Sequence, residues 1–266
     1  MVTIRFYIID QQGGGMFRLD GKTALISGAS RGLGWGMAKA LAKQGAHVFL
    51  NGRDAASLEP RALELVSDGF LATAIAFDVS QPEDIQRAVD QIVSVNGSLD
   101  ILIANAGIQY RSPIVDFSED EFRRVMDTNL IGVWLLAKEA SKHMIQAHGG
   151  RIIFTGSITA HLGRATISAY IASKGGVHAL ARQLAVELGD KGITTNVISP
   201  GYFSTEMNEH LIADKDFNEW VCSRVPVRRW GNPDEIGAAA VFLASDESAY
   251  INGHVLTMDG GFSISM

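Results

Sequence analysis

The chain holds one cysteine, Cys222, so it cannot form an internal disulfide or a cysteine-rich metal site. That fits a reducing compartment, the cytoplasm. Prolines are scarce, six in 266 residues, which leaves long stretches free to form unbroken helices and strands. No apolar run approaches the ~18 residues a membrane helix requires, and residues 2–9 are too short and too interrupted by Arg5 for a signal peptide. Basic residues are outnumbered 23 to 29 by acidic ones, a formal charge of −6, so no field exists to hold a nucleic-acid backbone. The remainder, 47% hydrophobic and 20% charged, is that of a soluble globular chain.

Glycine is plentiful, and its placement is informative. Residues 23–36 read Thr-Ala-Leu-Ile-Ser-Gly-Ala-Ser-Arg-Gly-Leu-Gly-Trp-Gly. A short buried strand (23–27) runs into a turn with Gly28, Gly32 and Gly34, and a helix follows over 34–44. Such a turn lets backbone approach a ligand, and the helix start offers free N–H groups and a positive dipole end to an anion such as a pyrophosphate. The glycine spacing differs from the usual dinucleotide fingerprint, with three residues between the first pair and one between the second.

Strand and helix patterns then alternate over short connections. Strands are expected at 47–51, 73–77, 100–105, 151–155, 194–198 and 254–258. Helices are expected at 55–67, from Pro82, from a Ser118 cap with Glu121 as a capping box to about 147, at 169–188 and at 233–244. This rhythm predicts an α/β fold: a single-domain Rossmann-like doubly wound sheet of seven parallel strands, with helices on both faces. Residues 16–266 form that domain, and residues 1–15, ending Gln-Gln-Gly-Gly-Gly, read as a flexible extension.

Ligands of such sheets bind beyond the carboxyl ends of the strands. Small or polar residues gather at four of those ends: Asp78 and Val79, then Asn105, Ala106 and Gly107, then Ser157, then Pro200 and Gly201. Each alone also serves as a cap or turn residue. Tyr170 and Lys174, four apart on one helix, project from a common face. A cation there favours the phenolate and lowers a phenol pKa toward the range useful for acid–base catalysis. Ser157 is placed to hydrogen-bond a substrate oxygen.

From about Phe17 to Gly261 the sequence resembles the short-chain dehydrogenase/reductase family. The resemblance rests on Gly28-Ala29-Ser30-Arg31-Gly32-Leu33-Gly34, Asn105-Ala106-Gly107, Asn129 within Thr-Asn-Leu, Ser157, Tyr170-x-x-x-Lys174, Pro200-Gly201 and Asp259-Gly260-Gly261. It implies hydride transfer between a nicotinamide and a carbonyl/alcohol pair, often in a homotetramer. Tyr170 would be the acid–base, Ser157 would hold the reacting oxygen, Lys174 would bind ribose and tune Tyr170, and Asn129 would place a relay water. Phe203 and Thr205 join the cofactor contacts. Ser27 stands where the family usually has Thr, and Ala104 where a second Asn is common.

NADP is expected over NAD. An acid at the end of the second strand would favour a free ribose 2′-hydroxyl, but Asn51 stands there, followed by Arg53, with Arg31 in the glycine turn as a second cation. Arg53 paired with Asp54 as a solvated loop charge is the competing view. No metal site is expected.

Leu50-Asn51-Gly52-Arg53, Ile108-Gln109 with Arg111, and Tyr202 to Met207 with Arg229-Trp230-Gly231 are similar to family members acting on sugar acids. The substrate expected is thus a small polyhydroxy acid, its carboxylate held by Arg111 or Arg164, its hydroxyls met by Gln109, His161 and Asn208. Residues 203–224 suit either a mobile cover or an amphipathic surface helix. The alternatives are a 3-oxoacyl carrier-protein reductase, against which the nearly uncharged Ile145-Gln146-Ala147-His148 counts, and a non-catalytic cofactor sensor on the same fold.

Overall fold

Thr23–Ile26 (β1) and Ile101–Ala104 (β4) are buried at every position rather than at alternate ones, so both faces of their sheet must be covered. The computed structural model, which describes residues 15–265, shows how. Flanking those two strands are His47–Gly52 (β2), Ala72–Ala76 (β3), Gly150–Thr155 (β5), Ile193–Pro200 (β6) and Val255–Met258 (β7). Among the described residues they form one seven-stranded sheet in the order β3-β2-β1-β4-β5-β6-β7, parallel throughout. The chain steps outward from β1 to β3, then returns to lay β4 on the other side of β1. Connections therefore diverge between β1 and β4, which opens a crevice above their carboxyl ends.

Successive side chains of a strand point to opposite faces, and the two cores follow that rule. Ala24, Ile26, Ile101 and Ile103 join Gly32–Lys43 (α1), Ala55–Ser67 (α2) and the final helix; Leu25, Leu102 and Ala104 join Pro82–Asn96 (α3) and later helices on the other face. In chain order the remaining helices are Glu119–Met126 (α4), Gly132–Gln146 (α5), Ser168–Leu188 (α6), Glu209–Ala213 (α7), Lys215–Arg224 (α8) and Ile236–Ala244 (α9), of which α5 and α6 join the second core and α9 is the final helix of the first.

Three details depart from expectation. The helical stretch after Ser118 is broken by a π-turn, Asp127–Ile131, between α4 and α5. Ser118 accepts from the Glu121 N–H, but the Glu121 carboxylate turns to Arg124, so only half of a capping box forms there. A complete box instead opens the last helical region, between Asn232 and Glu235. The segment after β6 folds as α7 and α8, with Tyr202 packed edge-on against Phe217, Trp220, Trp230 and Phe262. No helix among the described residues is long and apolar enough to cross a membrane. The extension foreseen at residues 1–15 lies, but for Gly15, outside the described residues.

Candidate active site

A cavity of about 360 Å³ lies over the carboxyl ends of β1, β4, β5 and β6. Its floor begins at the turn between β1 and α1. Gly28 and Gly32 hold φ of +64° and +56°, and a Cβ on Gly34 would stand 2.1 Å from the Gly28 carbonyl oxygen. Glycine is thus required at these points. Ser27, where the family usually has Thr, accepts from the N–H groups of Asn105 (2.9 Å) and Ala106 (3.0 Å), so the departure leaves the hydroxyl's task intact. The Asn105 amide donates to the carbonyls of Ser27 (3.0 Å) and Gly28 (3.1 Å), while its oxygen accepts from the Thr155 hydroxyl (3.1 Å). Asn105 therefore straps three strand ends together, and Gly107 lines the cavity beside it.

Arg31 is the N-cap of α1 in an extended conformation, and no side chain caps the helix. The first N–H groups of a 12-residue helix have no side-chain cap, and its first residues Gly32, Leu33 and Gly34 line the cavity with Ser30 of the turn beside them. That suits a diphosphate. Farther along, Asn51 is buried and donates to the carbonyls of Ile75 (3.2 Å) and Phe77 (3.1 Å), joining β2 to β3, while its own Oδ1 has no partner among the described residues. An unpartnered buried acceptor on a cavity wall fits a ligand hydroxyl or amino group. Asp78 Oδ1 is held by the N–H and hydroxyl of Ser80, with Val79 lining the wall next to it. Arg31 and Arg53 stand exposed on the same rim, and Asp54 caps α2 through the Ala56 N–H instead of pairing with Arg53. The cradle thus fits a dinucleotide with an extra phosphate.

At the other end lie the reactive groups. Ser157 closes β5, and its Oγ accepts from both the N–H (3.2 Å) and the hydroxyl (2.9 Å) of Thr159. With both lone pairs used, its own hydrogen is free to donate into the cavity. Tyr170 and Lys174 share a face of α6. Lys174 is buried and its Nζ donates to the Thr155 carbonyl at 2.7 Å, standing 5.7 Å from the Tyr170 ring centre. Burial lowers the Lys174 pKa to about 8. Burial likewise raises the Tyr170 phenol above its usual value, opposed by a hydrogen bond from Ser157 and by the charge of Arg111. Lys174 spends one of its three N–H donors on the Thr155 carbonyl, and two remain for other partners.

Asn129 sits in the π-turn, fully buried. Its Oδ1 accepts from the Ile108 N–H (2.8 Å) and its amide donates to the Ile108 carbonyl (2.9 Å). The side chain clamps the loop that carries Gln109 and Arg111. Burial lowers the Arg111 pKa, helped by the neighbouring charge of Arg164. Arg164 donates to the Tyr202 hydroxyl (3.3 Å) and lies 4.9 Å from the Phe217 ring centre. Gln109 and Asn208 line the same cavity, though Asn208 spends its amide on the Phe203 carbonyl. Pro200, Gly201, Phe203 and Thr205 line it too, with the Phe203 ring buried and pressed on Gly231. His161 is a correction: it pairs with His178 at 3.2 Å and does not line the cavity, because the turn after Ile158 faces it toward α6. Among the lining residues to which the sequence reading assigned no site role are Tyr202 and Thr155. Tyr202 was signalled by its place just past a strand end; Thr155, inside a strand, gave no signal.

A family model described as enoyl-(acyl carrier protein) reductase matches residues 28–263. The chain belongs to the short-chain dehydrogenase/reductase family, and it is an oxidoreductase acting on a CH–OH group. Gluconate 5-dehydrogenase of Gluconobacter oxydans is 41% identical over 94% of this chain and 98% of its own. The 2-dehydro-3-deoxy-D-gluconate 5-dehydrogenase of Bacillus subtilis is 39% identical over 92% of this chain and 96% of its own. Among solved structures, a gluconate 5-dehydrogenase from Burkholderia cenocepacia in complex with NADP and tartrate superposes with a TM-score of 0.91, at 40% identity, over 94% of this chain and 98% of that one.

Proposed function

We propose that the protein is an NADP-dependent dehydrogenase/reductase that interconverts a secondary hydroxyl and a ketone on a sugar acid of the gluconate/5-keto-gluconate type. The observation that carries the reading is the presence of two arginines, Arg111 and Arg164, in the cavity that also holds Ser157 and Tyr170. A sugar acid brings a carboxylate for a guanidinium fork and a carbinol for the phenol. The activities of the relatives point the same way. The lack of an acid at the end of β2, with Arg31 and Arg53 on the rim, supports NADP over NAD. A cytoplasmic homotetramer goes with this reading, supported by the lone cysteine and by exposed Trp134 and Ile131 along α5 and the turn before it.

Bound in the cradle, a nicotinamide dinucleotide supplies or accepts hydride. The free N–H groups of α1 would hold its diphosphate, Arg31 and Arg53 a 2′-phosphate, and Asn51, Asp78 and Val79 the adenosine end, with Lys174 beside the ribose of the reacting end. In reduction Tyr170, kept neutral by burial, gives its proton to the new alkoxide oxygen while Ser157 donates a hydrogen bond to the same atom. In oxidation the phenolate takes that proton. Initial rates with NADPH and NADH, on a sugar acid and on its uncharged sugar analogue, test the proposal. Arg111→Ala is expected to cost the acid about 2 to 4 kcal/mol in kcat/KM and the neutral analogue far less. Equal losses, or none, refute the carboxylate clamp.

A further inference from the structure

Arg61 lies on α2, outside the motifs that mark the cofactor cradle, yet it grips the cradle's tip. Its Nε donates to the Ser30 carbonyl at 3.2 Å, across 31 residues of chain. Its Cζ stands 4.9 Å from the centre of the Trp35 ring, which is almost wholly buried, and Lys39 Nζ is 5.6 Å from that same ring. Trp35 in turn donates its backbone N–H to the Arg31 carbonyl at 3.2 Å. Arg61 thus holds the residue before Arg31 directly and the residue that closes on Arg31 through its ring. The tip otherwise hangs between two glycines with positive φ, Gly28 and Gly32.

Charge separates Arg61 from the rim arginines. Arg61 is compensated by Glu64 at 2.9 Å, and Lys39 by Asp234 at 2.6 Å. Arg31 and Arg53 line the cavity with no such compensation among the described residues. A neutralised guanidinium contributes less through its field than through its fixed fork and flat stacking surface.

We propose that Arg61 is a positioning residue: it fixes the Ser30–Arg31 tip so that Arg31 meets a ribose 2′-phosphate, and so sets the preference for the phosphorylated dinucleotide. The inference rests on the NADP reading above. A lysine at position 61 keeps the charge but loses both the Nε–H bond to Ser30 and the planar stack on Trp35. A methionine keeps apolar packing alone.

The test is a fluorescence titration of NADPH and NADH into wild type, Arg61→Lys, Arg61→Met and Glu64→Gln. Both Arg61 variants are expected to bind NADPH about 5- to 10-fold more weakly, with NADH binding within twofold of wild type. Glu64→Gln leaves the Nε bond in place and should keep the wild-type ratio. A wild-type ratio in Arg61→Lys would overturn the proposal, because charge alone would then suffice. So would equal weakening toward both dinucleotides, which signals general damage to the diphosphate cradle. Wild type binding both dinucleotides equally would instead remove the NADP reading itself, whatever the variants do. Thermal melting of each variant shows that the fold persists, as expected for a partly exposed side chain.

Discussion

At Lys174 two demands on one side chain conflict. The proposed function puts the ammonium beside the cofactor's ribose, yet burial draws its pKa from 10.5 down to about 8. The folded value lies below the unfolded one, so the unfolded chain binds the proton more readily between those limits. Stability from this group is complete above pH 10.5 and is lost as pH falls through 8, and at neutrality the full penalty of ~3 kcal/mol is present. Lys174→Met removes the buried charge but leaves the Thr155 carbonyl without its donor, at a cost of ~1 to 2 kcal/mol. Urea unfolding of the cofactor-free protein is expected to show the variant ~1 to 2 kcal/mol more stable than wild type at pH 7 and no more stable at pH 10, while its turnover is lost. A less stable variant at pH 7 would contradict the desolvation account.

Among the elements, α6 does the most for the site, since it carries Tyr170, Lys174 and His178 on successive turns. Two adjacent glycines within it face different surroundings. A Cβ on Gly175 would meet nothing within 4 Å, whereas one on Gly176 would stand 2.8 Å from the Leu130 side chain beside the π-turn. Gly175→Ala is therefore expected to stabilise the protein by about 0.5 to 1 kcal/mol through helix propensity. Gly176→Ala is expected to destabilise it by about 1 kcal/mol, because Leu130 must leave its rotamer. Denaturant midpoints at constant slope distinguish the two. The π-turn matters for the same reason: it swings Asn129 out of the α-helical register so that both ends of its amide reach Ile108.

For the molecule as a whole, one acid-sensitive group lies at the back of the site. His178 is buried, with Nδ1 on His161 and Nε2 unpartnered against Gly156. Burial, together with the charges of His161, Lys174 and Arg182, lowers its pKa from 6.5 to about 4. The unfolded chain takes up the proton first as pH falls, so stability is whole above pH 6.5 and declines toward 4. Between pH 7.5 and 4.5 the wild type should lose ~2 kcal/mol more than His178→Gln, measured by urea unfolding at both values. Parallel losses would place the acid sensitivity elsewhere.

The local sequence determined most of the architecture and brought much of the candidate site to the strand ends. Buried runs without alternation required a sheet covered on both faces, glycines at 28, 32 and 34 required a close backbone turn, and the four-residue spacing of Tyr170 and Lys174 placed them on one helix face. These follow from side-chain period and local sterics, which act over a few residues. Tertiary structure alone decided which neighbour each group meets. It assigned the Lys174 ammonium to the Thr155 carbonyl, turned His161 away to His178, brought Tyr202 beside Arg164, and tied Arg61 to Ser30. Such pairings join residues tens of positions apart. They are set by the order in which strands assemble and by the cost of leaving a buried charge or polar atom unpaired, and no local spacing records either.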